Sequence, residues 1–77
     1  MDDTKLKNLD ELYQAIDMGL DIVFYLHGTM YNISWRDYRP FICTCPDGDA
    51  VFYDNATALI KGEQLDKNWR GIVIESM

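Results

Sequence analysis

Apolar side chains recur along this chain with two different periods, and the change of period divides it. Near the start, Leu6, Leu9, Leu12, Tyr13 and Ile16 fall three or four positions apart, while Lys7, Asp10, Glu11, Gln14 and Asp17 occupy the positions between. That spacing gathers the apolar residues on one face of a helix and predicts that the helix packs on a sheet. Asn8, with Glu11 three residues on, predicts the helix start through a capping-box-like pair, and Thr4 offers an earlier first turn. Gly19 predicts its end, because glycine accepts the left-handed conformation that commonly closes a helix.

From residue 20 the period falls to two. Residues 20–27 alternate Leu20, Ile22, Phe24 and Leu26 with Asp21, Val23, Tyr25 and His27. Residues 29–35 alternate Tyr31, Ile33 and Trp35 with Met30, Asn32 and Ser34. The uniformly apolar sets are expected to face the helices, and the mixed sets a sheet face that is only partly covered. Gly28 predicts a hairpin between these two strands. The run Arg36-Asp37-Tyr38-Arg39-Pro40 predicts a longer polar loop, with Pro40 leading into the next strand, where a missing N–H does least harm. Residues 41–45 set Phe41, Cys43 and Cys45 against Ile42 and Thr44. Pro46-Asp47-Gly48-Asp49 carries the strongest turn signal and leads to a fourth strand over 50–53, where both faces are apolar and the pattern does not choose between them. Residues 20–53 thus read as an antiparallel meander of four strands.

A short second helix follows, with Asp54 or Asn55 as N-cap, Ala56, Leu59 and Ile60 as its apolar edge and Gly62 as its stop. Residues 63–69 add another helical turn, with Leu65 and Trp69 on one side. A final strand over 71–76 places Ile72 and Ile74 opposite Val73 and Glu75. The order of elements is α-β-β-β-β-α-β. It predicts an α+β fold in two layers, a mostly antiparallel sheet of about five strands with the helices on one face, and a single domain over 1–77. The last strand is free to pair beside the first strand or the fourth.

Composition narrows the function. A chain of 77 residues with 48% hydrophobic and 26% charged residues has the balance of a packed globular domain. The net charge of −6, without a cluster of Lys and Arg, argues against direct nucleic-acid binding and against adhesion to anionic membrane. No stretch approaches the roughly 20 apolar residues of a membrane-spanning helix. Met1-Asp2-Asp3-Thr4 lacks the basic start and apolar run of an export signal, so a cytoplasmic protein is expected. In that setting the acceptor-like tripeptides at Asn32 and Asn55 read as a strand residue and a helix cap.

Candidate chemistry is sparse. Cys43 and Cys45 share one side of a strand and read as small buried hydrophobes, reduced rather than bridged. The single His27 reads as a turn residue, without a partner to make it a general base. A zinc site would need two ligands beyond the cysteines, and Asp47-Gly48-Asp49 lacks the spacing of a calcium loop. The expectation is therefore no catalytic residue, no metal and no cofactor. What stands out is surface. The aromatic content is 13%, and Val23, Tyr25, Ile42 and Phe52 would form an apolar patch on the face away from the helices, framed by Asp21, His27 and Glu75. The competing placement puts these residues in a second small cluster under the 36–40 loop. Trp35, Arg36, Tyr38 and Arg39 supply the residue types that dominate protein interfaces.

The motifs Gly19-Leu20-Asp21-Ile22-Val23-Phe24, Tyr31-Asn32-Ile33, Cys45-Pro46-Asp47-Gly48 and Trp69-Arg70-Gly71-Ile72 together resemble a group of small, acidic, uncharacterised α+β proteins of low-GC Gram-positive bacteria and their prophages. The resemblance implies a bacterial or phage origin and an accessory role, and carries over no catalytic residue. The leading expectation is a non-enzymatic interaction module that binds a protein partner, or itself as a homodimer, through Tyr25, Ile42 and Phe52 or through Trp35, Arg36, Tyr38 and Arg39. The alternatives are a phage-type inhibitor whose acidic surface mimics nucleic acid, and a thiol-dependent enzyme or ligand carrier using Cys43, Cys45 or His27.

Overall fold

Asn8 opens the first helix, α1 (Leu9–Asp17), by accepting the Glu11 N–H on its side-chain oxygen at 3.1 Å. Glu11 reaches back to the Lys7 N–H at 2.8 Å, one residue earlier than a standard capping box. At the other end Gly19 has φ +79°, the Leu20 N–H donates to the Ala15 carbonyl and the Gly19 N–H to the Ile16 carbonyl. These two bonds form a Schellman motif, and a left-handed glycine is what it requires. The helix thus begins and ends where its sequence directs. The computed structural model describes residues 6–45 and 47–77, so the alternative start at Thr4 and Pro46 of the predicted turn lie outside the described residues.

The chain then forms β1 (Ile22–Leu26), β2 (Thr29–Arg36), β3 (Arg39–Thr44) and β4 (Val51–Phe52), followed by α2 (Ala56–Gly62), α3 (Leu65–Asn68), a 3-10 turn (Trp69–Gly71) and β5 (Val73–Ser76). The sheet order is β4-β3-β2-β1-β5, and every described pairing is antiparallel. The expected two-layer α+β architecture is present. The last strand lies beside β1, carried there from the far edge by α2 and α3. Asn55 caps α2, its side-chain oxygen accepting the Ala58 N–H at 2.8 Å.

Both long hairpins close through two residues of positive φ. His27 and Gly28, at 51° and 82°, join β1 to β2, and Asp37 and Tyr38, at 55° and 67°, join β2 to β3. Two central residues of positive φ match a type I′ turn, whose twist suits the flanking strands. The second hairpin corrects the expected loop over 36–40. Arg36 pairs with Arg39, Trp35 with Pro40 and Ile33 with Ile42, so pairing continues up to the turn. Pro40 fits within β3 because antiparallel pairs alternate. The Arg36–Arg39 pair closing a two-residue turn exchanges hydrogen bonds, so the next pair, Trp35–Pro40, asks for none between its members.

Register then settles the faces. Ile22, Ile33 and Ile42 stand side by side across three strands and are buried beneath the helices, with Phe24, Leu26 and Ile72. From α1 and α2, Leu12, Ile16, Leu59 and Ile60 fill the same core, fully buried. Ile42 therefore does not belong to the outer sheet face where the apolar patch was expected. A shift of one residue in pairing exchanges the two faces of a strand, and a two-residue turn fixes the parity that sends Ile42 toward the helices and Phe41 to the opposite face, where it is buried between Phe52 and the Arg36 guanidinium. Phe41 and Phe52 pair across β3 and β4, with ring centroids 5.2 Å apart.

Candidate functional site

Alternation places Val23, Tyr25, Met30, Asn32, Phe41, Cys43, Phe52 and Val73 on the sheet face away from the helices. Among the described residues, no helix lies on this face. Tyr25 is 37% exposed, and its cross-strand neighbours are Met30 and Val73. At one end of the face Arg36 and Arg39 stand opposite each other, an arrangement that costs energy between like charges. Each guanidinium lies over an aromatic ring, Arg36 5.4 Å from the Phe41 centroid and Arg39 5.6 Å from that of Phe52. Arg39 also approaches the exposed Asp54 carboxylate at 3.8 Å, a contact that adds little in water.

The other side of the same hairpin meets the end of α1. The Trp35 indole N–H donates to the Ile16 carbonyl at 2.7 Å, tying β2 to the last turn of the helix across 19 residues of sequence. Beside this tie lies an open groove of about 400 Å³ lined by Asp17, Met18, Gly19, Trp35, Arg36, Asp37 and Tyr38. Tyr38 is 96% exposed while its backbone sits at φ +67°, a region that a bulky L-residue occupies only at a cost. Neither burial nor conformational ease accounts for a tyrosine there.

The structure thus divides the expected interaction residues. Tyr25, Arg39 and Phe52 lie on or over the sheet face away from the helices, Trp35 and Tyr38 line the groove, Arg36 belongs to the groove lining while its guanidinium lies over Phe41, and Ile42 is in the core. The sequence reading missed Phe41 on the open face and Asp17 and Met18 in the groove. Phe41 was legible in principle, because Ile33 with Ile42 and Trp35 with Pro40 are spaced symmetrically about Asp37 and Tyr38, the signature of a two-residue turn. The contribution of α1 was not, since nothing local links Met18 to a hairpin tip.

Cys43 and Cys45 are unbridged and only half-buried, less enclosed than core cysteines would be. Burial and the neighbouring Cys45 push the Cys43 thiol above its ordinary range, against a smaller opposing pull from Arg36. That direction is opposite to the one that activates a nucleophilic cysteine. His27 occupies the exposed tip of the first hairpin. Among the described residues, no group of three or more His, Cys, Asp or Glu side chains could hold a metal ion, and no helix is long and apolar enough to cross a membrane. Elsewhere the Tyr53 hydroxyl donates to a Glu63 carboxylate oxygen at 2.6 Å, which pushes its pKa up to about 12, with burial adding to the effect. This bond fastens the end of β4 to the end of α2. Comparison of the chain with protein-family models, curated proteins and solved structures finds no match.

Proposed function

We propose that the protein is a non-enzymatic interaction module of the cytoplasm, and that its contact surface is the end of the molecule built by the β2–β3 hairpin and the end of α1. The observation that carries this reading is Tyr38, an aromatic side chain held almost wholly in solvent on a strained turn, beside the groove that Trp35 lines. Strained backbone tends to gather at functional positions. Trp, Tyr and Arg are also the residue types that most often anchor a protein interface. The raised Cys43 thiol supports a non-enzymatic reading over a thiol-dependent one.

The test places a photo-crosslinking amino acid at position 38 and, as a control, at Lys61, which is exposed on α2. A discrete partner polypeptide crosslinked from 38 and not from 61 is the expected result. Once that partner is purified, Tyr38→Ala should weaken its binding by roughly 1–2 kcal/mol, the scale of an interface anchor. Equal capture from both positions, or unchanged affinity in Tyr38→Ala, contradicts the reading.

A second reading, self-association, is favoured by the sheet face away from the helices, where Tyr25 is exposed and Phe52 half-buried, although Phe41 beside them is buried. Light scattering after size exclusion, across a concentration series, separates the two. A dimer dispersed by Tyr25→Asp without unfolding supports self-association through that face. A monomer at every concentration leaves the hairpin end as the contact surface.

A further inference from the structure

The groove beside Tyr38 has a definite charge character. Asp17 and Asp37 are among its lining residues, and α1 ends there without a basic residue in its last turn. The C-terminal end of a helix carries partial negative charge on its carbonyls. Arg36 is the one cation among the lining residues, and its guanidinium is turned onto the Phe41 ring on the opposite face of the sheet. The groove is therefore lined by two acidic and two aromatic residues at the C-terminal end of a helix. Aromatic faces attract cations through their quadrupole, and tryptophan does so most strongly. The Trp35 ring is already fixed by its bond to the Ile16 carbonyl, so little ordering is needed on binding.

We propose that this groove accepts a lysine or arginine side chain from a basic segment of a partner protein, the cation lying against Trp35 and Tyr38 and neutralised by Asp17 and Asp37. The inference rests on the reading that the hairpin end is the contact surface, and adds the chemistry of the partner. The overall charge of −6 acts in the same sense, drawing a basic segment toward the protein before contact. The same charges disfavour an acidic peptide in the groove.

The experiment is a nuclear magnetic resonance titration of the full chain with the capped tripeptides acetyl-Gly-Arg-Gly-amide and acetyl-Gly-Lys-Gly-amide. Acetyl-Gly-norleucine-Gly-amide serves as the neutral analogue. The Trp35 indole signal and the Asp37 and Tyr38 amides should move with either cationic peptide and stay still with the neutral one, while the Trp69 indole serves as an internal control. Combined Asp17→Asn and Asp37→Asn substitution should weaken the response about three- to ten-fold, and Tyr38→Ala about two- to five-fold. All three side chains are exposed, so the variants should keep the native spectrum elsewhere. An equal response to the norleucine peptide, no movement of Trp35 at millimolar peptide, or indifference to the paired asparagine substitutions overturns the inference. A partner whose binding depends on Tyr38 but not on Asp17 and Asp37 would retain the contact surface and remove the cationic ligand. A groove that titrates with arginine while position 38 captures no partner would do the reverse.

Discussion

Replacing Tyr38 by glycine should stabilise the protein while weakening the partner binding proposed for it. Tyr38 sits at φ +67° in the second central position of a two-residue turn, where glycine is the favoured residue. The left-handed conformation costs an L-residue about 1–2 kcal/mol, and glycine escapes that cost. Against this, glycine loses roughly 0.5–1 kcal/mol more backbone entropy on folding. The side chain is 96% exposed, so its removal forfeits almost no buried area. The net expectation is a gain of about 0.5–1 kcal/mol. For 77 residues the unfolding entropy is roughly 0.16 kcal/mol/K, which converts this gain to a rise in Tm of about 3–6 °C. Differential scanning calorimetry reads the shift, and Tyr38→Ala is the control, since it removes the ring and keeps the strain. Alanine should leave Tm within about 2 °C of the parent. A fall in Tm for Tyr38→Gly, or a large loss in Tyr38→Ala, would show that the ring contributes to folding and would remove the reason for assigning it to binding.

Three further outcomes follow from particular contacts. Trp35→Phe should lower stability by about 1–2 kcal/mol in urea denaturation, combining a lost hydrogen bond with lost ring volume. The Ile16 carbonyl keeps the Gly19 N–H, so no acceptor is orphaned. Gly62→Ala, a change that usually favours a helix, should instead cost about 1–3 kcal/mol, because an added Cβ would lie 2.5 Å from the Tyr53 ring; a rise in the urea midpoint would contradict that packing. Tyr53 holds its proton more tightly in the folded state, with a pKa raised from 10.0 to about 12 by Glu63. The stability it contributes is therefore complete below about pH 10 and is lost as pH rises through about 12. Ultraviolet titration should show a late-ionising tyrosine component, and Tyr53→Phe should remove it.

Much of this fold is written locally. The helix stripe of Leu12 and Ile16, the Asn8 and Asn55 caps, the Gly19 stop and the alternation of β1 and β2 each follow from neighbours within a few residues. Such features are legible because side-chain direction is set by backbone period and end groups are satisfied by adjacent side chains. The polar run 36–40 misled because Asp37 and Tyr38 are not the glycine-rich pair that usually marks a type I′ turn. Five polar residues read as a loop, and the parity of β3 was lost with them.

The sequence by itself determined the order of elements, the two-layer class and the inward faces of α1, β1 and β2, since each depends on periodicity. Tertiary structure alone decided that β5 lies beside β1 and that the end of α1 meets the β2–β3 hairpin in a groove. The physical reason is the range over which each is set. A face is chosen by the residue two or four positions away, whereas the groove needs Met18 and Tyr38 brought together by a bond from Trp35 to Ile16, and that bond exists only once the helix has docked on the sheet.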